Sequence, residues 1–413
     1  MSNNINSILV VGFNTRPLAY SLHKAGYDVF AVDFFGDLDL FPSVKDYVIV
    51  INELSSNYES LKDKYNKYLT QFALKIFEKH QDVKYLLIGS GLDDAYEDRK
   101  LLLEEIEKYN TISLNNSLEL LKKSRDIEWI YELLKFNGYQ VPIYYSLENF
   151  ILQESIIEFP LILKKKRSAG GLNVIRIENE MNLNAQIQII NNKQSLHSEW
   201  LIQEYIQGIP VSCTVISNGE ECEIISINLQ IIGEKFLNSP KEFMYCGNIV
   251  PAGLTNEEET KISELSLFLT KKLGLKGING FDFVLKDHYP YFMECNPRIP
   301  GSISVSECVL NLNLLDLHIK SFLPEKWNDI KKIINTTKPN AFATKFIYFA
   351  PKEVDKKFLP EINKLKYIHD KSEPKNNILK GEPICTILYK GNSLSESYMG
   401  AKEIVNKIKK IIG

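Results

Sequence analysis

No run of apolar residues in this 413-residue chain approaches the roughly 20 that a membrane helix needs, and Met1 to Asn6 is polar. A soluble, intracellular, cytoplasmic protein with no membrane partner is therefore expected. Charge of one sign is also missing: 49 Lys+Arg stand against 52 Asp+Glu, a net −3. This excludes a general electrostatic pull toward nucleic acid or anionic lipid, so any anion must be met locally. The six cysteines, Cys213, Cys222, Cys246, Cys295, Cys308 and Cys385, form no C-x-x-C pair and no zinc-like spacing with His. They read as reduced thiols. Internal repeats and a Ser-His-Asp signal are absent as well. What is present is a globular composition, 44% apolar and 24% charged, over a length that calls for two or three domains.

The first segment alternates strand and helix. Ile8 to Val11, a helix from Leu18 to Ala25, Tyr27 to Asp33, Val48 to Ile51, a helical stretch from about Asn57 to Lys79, and Tyr85 to Ile88 imply a parallel sheet faced by helices. Gly89-Ser90-Gly91 falls at a strand's carboxyl end, where such sheets bind ligands. Asp33 ends the second strand, as in a dinucleotide site, but Gly12-Phe13-Asn14-Thr15-Arg16-Pro17 lacks the second and third glycines that let pyrophosphate approach. A role on the substrate side fits this lobe better. The middle segment reads as α+β. It has a helix from Ser124 to Phe136 stopped by Asn137-Gly138, strands near 161–164, 174–177, 199–206 and 211–216, and a long helix from Asn256 to Leu273. From about Pro339 the chain adds strands at 342–349 and 384–388 and a Lys-rich terminal helix from about Glu396 to Ile411. The expected division is 1–115, 116–330 and 331–413.

The most informative residues are Phe292-Met293-Glu294-Cys295-Asn296-Pro297-Arg298. Alternate side chains of a strand share a face, so Glu294 and Asn296 point the same way, and Arg298 continues that row if the strand persists past Pro297. Asp282 lies on the preceding strand, with 286–290 as the turn that brings it beside Glu294. A lone acidic residue is usually solvated, but both strands are apolar enough to be buried, and a buried carboxylate needs a partner or a metal. Hard oxygen ligands with one Arg suit Mg²⁺ holding a nucleotide phosphate.

Lys164-Lys165-Lys166-Arg167-Ser168-Ala169-Gly170-Gly171 sets four cations against a small-residue turn. Backbone N–H groups there can approach phosphate oxygens while a Lys supplies a point charge. A solvated basic hairpin would show the same run. Lys164 favours phosphate, because it ends the apolar strand Leu161-Ile162-Leu163. The Walker A order is absent. Gln203-Glu204-Tyr205-Ile206 ends a strand before Gly208, where backbone groups at a crossing between lobes could accept from adenine N6 and donate to N1.

Lys164 with its glycine turn, Gln203 to Ile206, Asp282 and Glu294 to Arg298, in that order, resemble the ATP-grasp superfamily over about Ser117 to Ile319. The first lobe looks like the pre-ATP-grasp domain. The branch most similar in its openings, Val11 to Arg16 and Val32 to Asp37, is the archaeal carboligase-like one related to biotin carboxylase and carbamoyl phosphate synthetase. The resemblance implies an ATP-grasp fold, α/β plus α+β, with an N-terminal parallel-sheet domain and a small C-terminal α+β extension. It implies Lys164 at the α- and β-phosphates, with Lys166 and Ser168 in the same loop and Gly170 and Gly171 closing over the β- and γ-phosphates. Adenine would be held by the backbone of Glu204 and Ile206, flanked by Gln203 and Tyr205. Asp282, Glu294 and Asn296 would carry one or two Mg²⁺, with Mn²⁺ as an alternative ion, and Arg298 would steady the transferred group. Two departures stand out. Where the family often has a first ATP-binding Lys this chain has Ile127, with Arg125 nearby to replace it, and the usual ribose Glu is missing after Gly208.

These features imply an ATP-dependent ligase that phosphorylates a small carboxylate and lets an amine displace the phosphate, with Lys164 and Arg298 as the catalytic cations. Two rivals are a carboxylase-like enzyme making carboxyphosphate from bicarbonate and an ATP-binding sensor with decayed catalysis. Small-molecule carboxylate and amine are the expected partners, and a homo-oligomer is compatible with all three.

Overall fold

A computed structural model of the chain describes residues 6–152, 158–168 and 170–413. Ala169 of the glycine turn, and Met1 to Ile5 of the polar start, lie outside the described residues.

The alternating apolar segments of the first lobe pair as a five-stranded parallel sheet, order β3-β2-β1-β4-β5. These strands are β1 (Ser7–Gly12), β2 (Asp28–Asp33), β3 (Asp46–Ile49), β4 (Tyr85–Ile88) and β5 (Ile112–Ser113). Continuous apolar strands such as Ile8 to Val11, all fully buried, are what a sheet covered on both faces requires. The carboxyl ends of β1 and β4 open together on one edge. The expected helix 57–79 is two helices, Tyr58–Leu61 and Tyr65–Lys79, and the strand near 48–51 gives way at Val50 to a short helix, Val50–Glu53. Asp33 is fully buried and accepts from Thr15 N–H (2.6 Å), Thr15 Oγ1 (2.8 Å), and the N–H groups of Phe35 (2.9 Å) and Gly36 (2.7 Å). Both oxygens are thus engaged in holding the loops together, which explains its place at the strand end without a nucleotide.

A four-stranded antiparallel sheet, order β6-β9-β7-β8, follows. It comprises β6 (Tyr144–Ser146), β7 (Leu161–Lys165), β8 (Val174–Ile177) and β9 (Trp200–Glu204). The helix expected over 124–136 starts instead at Ile127 and runs to Phe136, and Ser124 ends a separate helix, Leu118–Ser124. The interruption is Asp126, extended (φ −84°, ψ 90°), whose carboxylate accepts from Trp129 N–H as an N-cap. The break leaves Arg125 at the turn between helices, free to aim away from the helix faces.

The third sheet has eight strands in the order β14-β13-β10-β11-β12-β15-β17-β16, antiparallel throughout. They are β10 (Ile209–Asn218), β11 (Cys222–Ile232), β12 (Tyr245–Val250), β13 (Lys276–Lys286), β14 (Tyr289–Asn296), β15 (Phe342–Phe349), β16 (Ile368–His369) and β17 (Pro383–Gly391). The C-terminal strands therefore continue the sheet that carries Asp282 and Glu294. Helix Asn256–Leu273 covers one face. Ile262, Leu265, Leu269 and Leu273 recur at three and four residues, are all buried, and each contributes about 1.5–3 kcal/mol. A reciprocal cap between Thr255 and Glu258 starts the helix, and Gly274 (φ +69°) ends it.

The lobes are tied by buried polar contacts over long sequence separations. Arg16 Nε pairs with Asp370 at 2.7 Å, Asp39 accepts the N–H groups of Asp370 and Lys371, and Asn116 donates to Asn279 and to Pro297 O. Among the described residues no helix is long and apolar enough to cross a membrane.

Candidate active site

The three sheets converge on a cleft of about 750 Å³ whose wall includes Gly89 to Gly91, Lys164, Gly170, Gly171, Asp282, Glu294, Asn296 and Arg298. A smaller cavity of about 60 Å³ adjoins it at Arg125, Lys164, Lys166, Ser168 and Glu294.

The β13–β14 hairpin sets Asp282 directly across from Glu294, with a bulge immediately after Asp282. Directly opposed residues share a face, so the two carboxylates look into the cleft together. Asn296 Nδ2 and Gln230 Nε2 each donate to one oxygen of Asp282, both at 2.9 Å. Burial first, then the charge of Glu294, pushes Asp282 up to about 7. Burial also raises Glu294, opposed by Arg125, Arg298 and Lys164. Two carboxylates held side by side in a desolvated cleft lack enough positive charge. With the amide oxygen of Asn296 they present the hard-oxygen donor set that suits Mg²⁺.

β14 ends at Asn296, and Arg298 N–H turns back to Asn296 O at 2.8 Å. Arg298 still faces the cleft, not through strand alternation but because Asp93 of the first lobe clamps its Nε with both oxygens, at 3.0 and 2.8 Å. Burial would raise Asp93, but the charges of Arg298 and Arg125 outweigh it and hold the carboxyl low.

Lys164, at the end of β7, leaves the apolar wall toward Met293 O (3.4 Å) and the hydroxyl of Tyr131 (3.5 Å). Burial lowers it to about 8, against the pull of Glu294. Arg125 reaches the same point from the helix break. Its Nη1 meets Glu294 at 3.2 Å, its Nη2 donates to Ser168 O at 2.9 Å, and Asp94 grips Nε and Nη2 at 2.7 and 2.9 Å. A guanidinium thus stands beside Ile127 and joins the metal-type carboxylate to the glycine turn. Lys166 is paired with Glu128 at 2.6 Å and lines only the small cavity. Ser168 Oγ accepts from Asn173, so Ser168 contributes its backbone to the loop's anchoring.

Gly171 (φ +75°) lies so close to Phe243 that a Cβ there would sit 1.8 Å from its carbonyl oxygen. Gly171→Ala is therefore expected to displace the loop at a cost of about 1–3 kcal/mol. Calorimetric titration should show nucleotide affinity about tenfold weaker, with the circular dichroism melt lowered by only a few degrees.

Gln203, Tyr205 and Ile206 line the cleft. Glu204 faces Ile143 instead: its N–H donates to Ile143 O (2.8 Å) and its carboxylate accepts from Ile143 N–H (3.3 Å). Sequence reasoning missed Asp93, Asp94, Gln230 and Lys345. Lys345, on β15, lines the cleft from the C-terminal segment, donates to Gly301 O at 2.8 Å, and is lowered by burial to about 8. Only the two adjacent acids, Asp93-Asp94 after Gly89-Ser90-Gly91-Leu92, carried a local hint.

This architecture is the ATP-grasp fold, and residues 128–302 match the family model of the ATP-grasp domain. A protein of Methanocaldococcus jannaschii named as uncharacterized protein MJ0776 is 29% identical over 97% of this chain and 90% of its own length. The arginine-specific carbamoyl phosphate synthase large chain of Bacillus subtilis is 23% identical over 75% of this chain, which spans 29% of that larger protein. Among solved structures, the L-amino acid ligase of Bacillus licheniformis superposes with a TM-score of 0.69 at 16% identity, covering 98% of both chains.

Proposed function

We propose that the chain is a Mg-ATP-dependent ligase that activates a small carboxylate as its acyl phosphate and joins it to an amine. The observation that carries this reading is the facing pair Asp282 and Glu294 in one cleft with Lys164 and Arg298, with Arg125 reaching Glu294 from the adjoining cavity. The similarity to a carbamoyl phosphate synthase chain and to an amino acid ligase supports it. ATP would lie with its adenine against Gln203, Tyr205 and Ile206 and its phosphates between Lys164, Gly170-Gly171 and the carboxylates. Asp282, Glu294 and Asn296 would hold one or two Mg²⁺, which when bound offsets the charge of the triphosphate.

In the first step a substrate carboxylate oxygen bonds to the γ-phosphorus, and the bond to the bridging oxygen breaks to release ADP. In the second, the amine nitrogen bonds to the acyl carbon. The carbon–oxygen bond to phosphate breaks with its electron pair on phosphate, and the nitrogen's surplus proton passes to that phosphate. Both steps ask for positioning and charge neutralisation, not a covalent protein nucleophile. Arg298, fixed by Asp93, faces the negative charge that develops on the acyl phosphate. The six cysteines are free thiols, in keeping with work in the reducing cytoplasm.

The test is to incubate the purified chain with Mg-ATP and pooled carboxylates and amines and to measure ADP and phosphate. Release that depends on both pools is expected. Release dependent on bicarbonate alone would transfer the chain to carboxyphosphate chemistry. ATP binding without release under any pool would leave a nucleotide sensor.

A further inference from the structure

Arg298 lies beyond the last residue of β14, so strand periodicity does not aim it. Pro297 has no N–H, and the N–H of Arg298 is spent on Asn296 O at 2.8 Å. The carbonyl of Pro297 is therefore the backbone group left to orient the turn. It accepts from Asn116 Nδ2 at 3.0 Å, across 181 residues. Asn116 is 3% exposed, and its amide has one orientation. Its Oδ1 accepts Lys276 N–H at 2.8 Å, which leaves Nδ2 to face Pro297 O and Asn279 Oδ1, the latter at 2.8 Å. Asn279 gives its own protons to Lys276 O and Gly277 O, each at 3.1 Å, so its Oδ1 is the acceptor. A buried network satisfied in this way admits one arrangement.

Asn116 is itself fixed to the first lobe. Asn115 beside it prolongs the pairing of β5 with β4, since its Oδ1 accepts Ile88 N–H at 2.9 Å and its Nδ2 donates to Leu86 O at 3.1 Å. Asp93, which clamps Arg298 Nε, follows the same strand β4. Arg99, between the two in sequence, donates from Nη2 to Asn116 O at 3.5 Å. The backbone of the Arg298 turn and the head of its guanidinium are thus held by two residues anchored on one strand. A second tie joins the same segments without touching the turn. His318 accepts Ile278 N–H at Nδ1 (2.9 Å) and meets Leu114 O through Nε2 (3.0 Å). Joining these segments does not require Asn116 to reach Pro297.

Resting on the ligase reading, in which Arg298 faces the charge of the acyl phosphate, we propose that Asn116 is a positioning residue for Arg298. With Asp93 it forms a bracket on β4 that sets the guanidinium in place before nucleotide arrives. Asn116 touches neither ATP nor substrate. Its effect falls on the transferred phosphoryl group and hence on kcat. Lys164 on β7 and the adenine wall at the end of β9 belong to another sheet, so KM for ATP is set elsewhere. Misplacing a group of this kind by about 1 Å costs up to about 10²-fold in rate.

The test uses the full chain with Mg-ATP and the pooled carboxylates and amines. Asn116→Ala should lower kcat about tenfold or more, with KM for ATP within about twofold. His318→Ala, which breaks the neighbouring tie, should lower the melting temperature and leave kcat within about twofold. In an Arg298→Ala background, Asn116→Ala should cost less than about twofold further, because the group it positions is gone. Should Asn116→Ala not fold, Asn116→Gln, whose amide is one methylene too long for Pro297 O, is read in the same way. A second readout needs no turnover: the Arg298 Nε–H resonance, assigned by its loss in Arg298→Lys. It should be protected from solvent exchange in the nucleotide-free native chain and lose that protection in the Asn116 variant. Equal kcat losses in Asn116→Ala and His318→Ala, an undiminished loss in the Arg298→Ala background, or free exchange of that N–H in the native chain overturns the proposal. If no pool supports ADP release, the ligase reading fails instead, and the exchange of the Arg298 Nε–H alone decides the bracket.

Discussion

Glu294→Gln is expected to lower turnover by about two orders of magnitude or more while ATP binding survives. The loss of one charge at nearly constant shape would leave Asp282 as the one charged ligand of the proposed set, beside Asn296, and removing a group that organises charge in a transition state costs about 10²–10³ in kcat. The effect on the apo protein has the opposite sign. Arg125 and Asp94 stay paired, and Asp282, freed from its like-charged neighbour, should titrate lower. A magnesium titration of turnover, alongside calorimetry with ATP alone, separates the two. Unchanged turnover at low magnesium would remove Glu294 from the metal set.

The pH profile is the second large effect. Asp282 is raised to about 7, so below that pH it is protonated and cannot offer a charged ligand. Lys164 is lowered to about 8, so above that pH it is neutral and loses its hold on phosphate. kcat/KM for ATP, which reports the free enzyme, should therefore rise through pH 7 and fall through pH 8, a narrow bell. The acid limb belongs to the Asp282 and Glu294 pair jointly. Raising magnesium should move it to lower pH, because metal competes with the proton. Lys164→Arg should remove the alkaline limb, since a guanidinium does not titrate there. A profile flat from pH 6 to 9 would show that neither group meets the nucleotide.

What the sequence disclosed follows from how local each signal was. Asp282 and Glu294 are joined by one tight hairpin, so strand periodicity and a turn sufficed to pair them. Helix Asn256–Leu273 carries its own caps and stripe, and its bounds were legible to the residue. Arg125 was visible only as a neighbour of Ile127, because apolar periodicity runs through the break that Asp126 makes. Asp93 grips Arg298 across 205 residues, and Gln230 reaches Asp282 from β11, two strands away in the sheet. Contacts of that kind are created by strand order and leave no periodic trace. Lys345 was hidden for the same reason: the terminal segment looked like a separate small extension, yet β15 pairs directly with β12.

That pairing makes the chain intolerant of shortening. Cutting at Pro339 would strip β15, β17 and the helix Leu394–Ile412, leaving the backbone N–H and C=O groups of β12 as a bare edge and the apolar residues Ile231, Cys246 and Ile249 open to water. A fragment trimmed to the matched domain would therefore tend to stack on other chains through that edge, and the facing carboxylates Asp282 and Glu294 would sit in an aggregate, not in a smaller enzyme.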